Sequence, residues 1–161
     1  MTSELSDPEI LELAMGAFRA AVDRVTESPV PVAARMYAPL TEASWWAICV
    51  DEELEKSEGY KSRRNTDTQG RVTLGLRYAR SVLGHHRFFA VTHGGGLTVP
   101  FTIPFQIETY AAWLPVENLP VFTEQATVKP FYENWVAGRR VLDTLNDAVS
   151  WFDRAKVESR L

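Results

Sequence analysis

Apolar residues recur at three- and four-residue spacing at Ile10, Leu13, Ala14, Ala17, Phe18, Ala21, Val22 and Val25, a pattern that predicts an amphipathic helix ending near Thr26. Asp7 followed by Pro8 marks its start, because a carboxylate can accept from the first free amides and proline fits the first turn. Pro29, Pro31 and Pro39 interrupt the next stretch. A second helix is expected over 42–57, capped by Thr41 and stopped by Gly59. Trp45, Trp46, Cys49, Val50 and Leu54 form its apolar face, and Asp51, Glu52, Glu53 and Glu55 are expected to face water.

Residues 60–70 are polar and read as a loop, in which Asp67 can cap a third helix running to about Leu83. Val72, Leu76, Ala79 and Leu83 make its buried stripe, and Gly84 is the expected stop, leaving His85 and His86 in or just beyond the last turn. From 88 to 113 the texture changes to short runs of Val, Thr, Ile, Phe and Tyr. These predict a β-hairpin or three-stranded meander, with Gly94-Gly95-Gly96 as a turn and Pro100 and Pro104 pushing their runs to edges. The triple glycine lacks the Lys-Ser or Lys-Thr pair of a phosphate loop.

A connector over 114–120 leads to a short helix within 122–138, packed through Phe131, Tyr132 and Trp135. The last helix starts at Arg139 or Arg140, with Val141, Leu142, Leu145, Ala148, Val149, Phe152 and Ala155 inward. The fold class expected is α+β, mainly α. It is a single domain over 1–161, with a helical part at 7–87, a β insertion at 88–113 and C-terminal helices at 122–161.

Composition bears this out: 45% hydrophobic and 11% aromatic residues can furnish one packed core. A single cysteine, Cys49, excludes an intramolecular disulfide and a Cys-rich zinc site. The first eight residues lack a basic head and an apolar run, and no window is apolar enough to span a membrane, so a cytoplasmic protein with no membrane association is expected.

The net charge of −4 is unevenly distributed. Between Tyr60 and Arg87, Lys61, Arg63, Arg64, Arg71, Arg77, Arg80 and Arg87 stand against the single acid Asp67, a net of +6 that leaves −10 for the rest. An acidic protein with a local basic segment is not built to coat nucleic acid indiscriminately, but the segment can meet a phosphate locally.

Within that segment, Arg80-Ser81-Val82-Leu83-Gly84-His85-His86 places a permanent cation near two groups that titrate around neutrality. That pairing suits phosphodiester cleavage. His85, His86 and His93 could also be considered as metal ligands, but no Cys pair or His-Glu-x-x-His run accompanies them, and no metal or other cofactor is expected. Cys49 lacks a basic neighbour in sequence that would activate it.

Here the chain resembles the HEPN superfamily, whose motif is an arginine followed after four to six residues by a histidine on a helical scaffold. Arg80 precedes His85 by four intervening residues and His86 by five, so either histidine satisfies the spacing. The resemblance implies a helical bundle, here with a β insertion, acting as a homodimer on RNA or a nucleotide, within a toxin–antitoxin or defence system. It further implies metal-independent endoribonuclease chemistry, in which His85 or His86 takes the ribose 2′-hydroxyl proton and Arg80 stabilises charge on the phosphate. Lys61, Arg63, Arg64, Arg71, Arg77 and Arg87 would then contact phosphates.

Two alternatives stay open. In one, Arg80 pairs with a carboxylate of the acidic second helix and the histidines form a solvated helix end. In the other, the chain is a non-enzymatic interaction module whose basic segment docks an acidic protein partner, anchored by Trp113 or Trp135.

Overall fold

The computed structural model describes residues 6–28, 33–86, 91–94, 110–119 and 125–159. Among the described residues there are six α-helices, α1 (Asp7–Glu27), α2 (Ala33–Leu54), α3 (Tyr60–Thr66), α4 (Thr68–His86), α5 (Lys129–Trp135) and α6 (Val141–Ser159), and two strands, β1 (Val91–Gly94) and β2 (Tyr110–Trp113). The class is thus α+β and mainly α, with the strands inserted between α4 and α5.

Helix α1 begins at Asp7 with Pro8 in the first turn, but the N-cap is Ser6 and not Asp7: the Glu9 carboxylate accepts from the Ser6 amide at 2.8 Å. Its buried stripe is rotated from the expected one. Leu11 and Met15 point inward with Ala14, Phe18, Ala21, Val22 and Val25, while Leu13 is 59% exposed. The stripe packs on α2 and α6, where Phe18 meets Phe152 edge-on at 5.7 Å between ring centroids.

Helix α2 starts well before the expected Thr41 cap and carries Pro39 inside it. Proline removes one backbone donor, but near the start of a helix whose following turns bury Leu40, Ala43, Ala47, Val50 and Leu54, packing outweighs that loss. A turn through Gly59, held at φ +75°, where a side chain would be strained, then feeds α3 directly. The polar stretch expected to be a loop is therefore helical over Tyr60–Thr66. Asp67 caps α4 as expected, accepting from the amides of Gln69 at 2.8 Å and Gly70 at 3.1 Å.

Val72, Leu76, Ala79 and Leu83 of α4 are all buried. Gly84 does not stop the helix, which runs on through His86. Helix α4 approaches α5 closely at Gly75, where an added Cβ would lie 2.5 Å from a Val136 methyl and 3.1 Å from the Phe131 carbonyl oxygen. Only glycine leaves room for this crossing.

The two strands pair antiparallel, with Val91 opposite Trp113 and Gly94 opposite Tyr110. The segment carrying Pro100 and Pro104, any third strand, and the Gly95-Gly96 part of the turn lie outside the described residues. On its other side β2 is tied to the entry of α6: the Trp113 amide donates to the Arg139 carbonyl at 3.0 Å and the Gly138 amide to the Trp113 carbonyl at 2.9 Å. Trp113 is fully buried, its indole N–H donating to the Thr144 hydroxyl at 2.7 Å. No helix among the described residues is long and apolar enough to cross a membrane.

Candidate functional site

Helices α2 and α4 face one another along their length, and the basic segment resolves into two kinds of arginine at that junction. One kind is consumed by carboxylates. Asp51, expected to face water, is 1% exposed and accepts from Arg64 at 2.6 Å, from Arg77 at 2.7 Å and from the Tyr60 hydroxyl at 2.5 Å. Glu55, one turn further along α2, receives the same two guanidinium groups at 2.5 and 2.9 Å. Two arginines and two carboxylates balance, which is the condition under which buried charge is tolerated.

The titration behaviour follows from this packing. Burial by itself pushes the Glu55 carboxyl up, but the hydrogen bond from Arg64 and the charge of Arg77 outweigh it and hold Glu55 below the usual carboxylate range. Burial, followed by the charge of Asp51, drives the Tyr60 phenol far above its ordinary value. Tyr60 also accepts from the Trp151 indole at 3.0 Å, which carries the cluster into α6. Arg64 loses some of its proton affinity to burial and regains more from Asp51, so it stays charged. These groups hold the fold together, and both carboxylates of the cluster are engaged by guanidinium groups.

The remaining cations of the segment are arranged similarly or stacked. Lys61 pairs with Glu55 at 3.2 Å and Arg63 with Glu158 at 3.2 Å. Arg71 donates to the Asn65 carbonyl at 2.8 Å and lies over the Trp135 ring at 5.2 Å. Arg87 lies outside the described residues.

Arg80 is the other stacked cation. It has no carboxylate partner among the described residues, and its guanidinium sits 4.3 Å from the centroid of the Trp45 ring on α2. This cation–π contact holds the arginine beside the ring, and no carboxylate among the described residues takes up its N–H donors. Trp45, expected in the core, is 52% exposed. Neighbouring Cys49 is half-buried, and burial raises its thiol pKa, reinforced by Glu52 and opposed by Arg80, which makes it a poor nucleophile.

His85 and His86 form the end of α4, on the same uninterrupted helix as Arg80; their side chains, with that of His93 on β1, lie outside the described part. Positions five apart on a helix point about 140° from each other, and positions six apart about 120° in the opposite sense. Positions 85 and 86 therefore lie on other faces of α4 than position 80. No protein-family model matches the chain, and no match is found among curated proteins or solved structures.

What the structure brings together is thus Arg80 with Trp45, and Arg64 and Arg77 with Asp51 and Glu55. Sequence reasoning missed the Trp45 pairing and the buried acids. A signal for the acids was present, since Asp51 and Glu55 lie one turn apart and can meet two guanidinium groups from one side.

Proposed function

We propose that this is an RNA- or nucleotide-directed protein of HEPN-like type, a metal-independent endoribonuclease acting through Arg80 and His85 or His86. The observation that supports it best is that Arg80 has no carboxylate partner among the described residues and shares an unbroken helix with both histidines. In this reading one histidine abstracts the 2′-hydroxyl proton. That oxygen attacks the adjacent phosphorus, and the 5′-oxygen leaves, giving a 2′,3′-cyclic phosphate. Arg80 stabilises the charge that builds on the non-bridging oxygens. The angular separation of position 80 from positions 85 and 86 around α4 is met by a site composed from two copies of the chain, each supplying the group the other cannot aim.

The ion-paired state of Lys61, Arg63, Arg64 and Arg77 narrows the phosphate-binding set. Arg80 is its centre, and Arg71 is the next cation without a carboxylate partner among the described residues. Labelled RNA incubated in EDTA with the wild type and with Arg80→Ala tests the reading. Cleavage by the wild type leaving 2′,3′-cyclic ends, reduced about 10²- to 10³-fold by the substitution, is expected. No cleavage by either protein, or equal cleavage by both, refutes it.

A second reading follows from the exposed Trp45 with its stacked arginine, the residue types that anchor protein contacts. In that reading the chain is a non-enzymatic module that docks an acidic partner. Trp113 cannot serve as the anchor because it is fully buried, and Trp135 is half-buried beneath Arg71.

A further inference from the structure

Five tryptophans share this chain, and their surroundings differ sharply. Trp113 and Trp151 are buried and donate through their indole nitrogens, and Trp46 and Trp135 are half-buried against the core. Trp45 alone among them is exposed, and it remains more than half exposed with the Arg80 guanidinium already in place. The stacking contact thus holds the ring and the cation together without using up the aromatic surface.

We infer that Trp45 is a base-stacking platform that, with Arg80 receiving the neighbouring phosphate, makes the site select single-stranded RNA with little regard to sequence. The inference rests on the RNA-directed reading above and names its substrate class. Every nucleobase offers a π-face, so stacking on an indole is tolerant of sequence. In a duplex the bases are already paired and stacked, and neither face is free for a side chain.

The electrostatics agree with an anionic ligand at this place. Arg80 meets a ring, and no carboxylate among the described residues competes for its donors. The acids of the neighbouring α2 turns are engaged by other cations: Glu53 by Lys56 at 2.7 Å, Glu55 by Arg64 and Arg77, and Glu52 more loosely by Arg77 at 3.9 Å. An acidic peptide would value the same cation but would gain little from a flat, open ring beside it. A nucleotide uses both.

The test measures binding of a labelled 2′-O-methyl oligoadenylate, which lacks the hydroxyl needed for cleavage, to the wild type, Trp45→Ala, Trp45→Phe and Arg80→Ala at low salt. Inorganic polyphosphate and duplex RNA serve as competitors. Trp45→Ala is expected to weaken oligoadenylate binding about tenfold and to leave polyphosphate competition unchanged, with Trp45→Phe retaining most of the affinity. Duplex RNA should compete poorly.

Wild-type affinity in Trp45→Ala, or an equal loss for oligoadenylate and polyphosphate, overturns the stacking role. If Arg80→Ala still abolishes RNA cleavage in that case, the ribonuclease reading stands without it. Failure of the wild type to bind any RNA removes both, and binding only to acidic polypeptide would assign the pair to a protein partner. Because Trp45 is a surface residue, circular dichroism of both variants should match the wild type, and Trp45→Phe keeps the comparison valid if the alanine variant does not.

Discussion

Arg77 and Arg80 sit one turn apart on α4, both facing α2, yet they do opposite things. Arg77 meets Asp51 and Glu55 and is three-quarters buried in an ionic cluster; Arg80 meets an indole and has no carboxylate partner among the described residues. The partner, and not the residue type, decides whether an arginine is structural or available. A count of basic residues therefore overstates how many cations of this segment are uncommitted, since four of the six described ones pair with carboxylates.

The strongest way to break the comparison is to remove the acid at its centre. Asp51→Ala leaves Arg64 and Arg77 with half their counter-charge in a buried place and should cost about 3–5 kcal/mol in urea unfolding. Arg80→Ala, which strands no buried charge among the described residues, should change stability by no more than about 1 kcal/mol. Equal losses in the two variants would mean that the distinction between the arginines is wrong.

Titration sharpens the same contrast. The Glu55 carboxyl has a lower pKa folded than unfolded, so the unfolded chain takes up its proton first as pH falls. Its contribution is complete above the unfolded value near pH 4.3 and is lost as pH falls through the lower folded value. Tyr60 has the opposite sign: its raised pKa gives stability that is complete below about pH 10 and erodes as pH rises beyond it. Unfolding midpoints measured across pH should fall at both ends, and Glu55→Gln should flatten the acid limb. An unaltered acid limb would remove Glu55 from the account.

The smallest effect is expected at the rim. Arg63 and Glu158 pair at 3.2 Å with both side chains a third or more exposed, and Arg63→Ala should shift stability by about 0.2–1 kcal/mol, less in high salt. A loss comparable to that of Asp51→Ala would extend the buried cluster further than its geometry indicates.

Much of this organisation is legible in the chain itself. The presence of α1, the α4 and α6 patterns, the Asp67 cap and the antiparallel pairing of β1 with β2 follow from periodicity and local chemistry. What periodicity misreads depends on distant partners. Helix α3 looks like a loop because only Tyr60 and Arg64 of its residues are buried, and both bond to Asp51 on another helix. Asp51 looks solvated because its ligands arrive from α3 and α4. Trp45 looks buried because large aromatic side chains usually are, and its cation comes from 35 positions away. Of the proposed site, the proximity of Arg80 to the histidines in sequence was legible, and its indole partner was not.

Gly75 has a consequence for all of this. By letting the Phe131 carbonyl and Val136 press against the backbone of α4, it works as a keyway that fixes the rotational setting of that helix about its own axis. The ionic cluster at Arg77 grips the helix two residues further on, so α4 is indexed twice before Arg80 is reached. The bearing of Arg80 toward Trp45 is therefore machined in by a missing methyl group five residues upstream, and one extra residue between the two would swing it through about 100°.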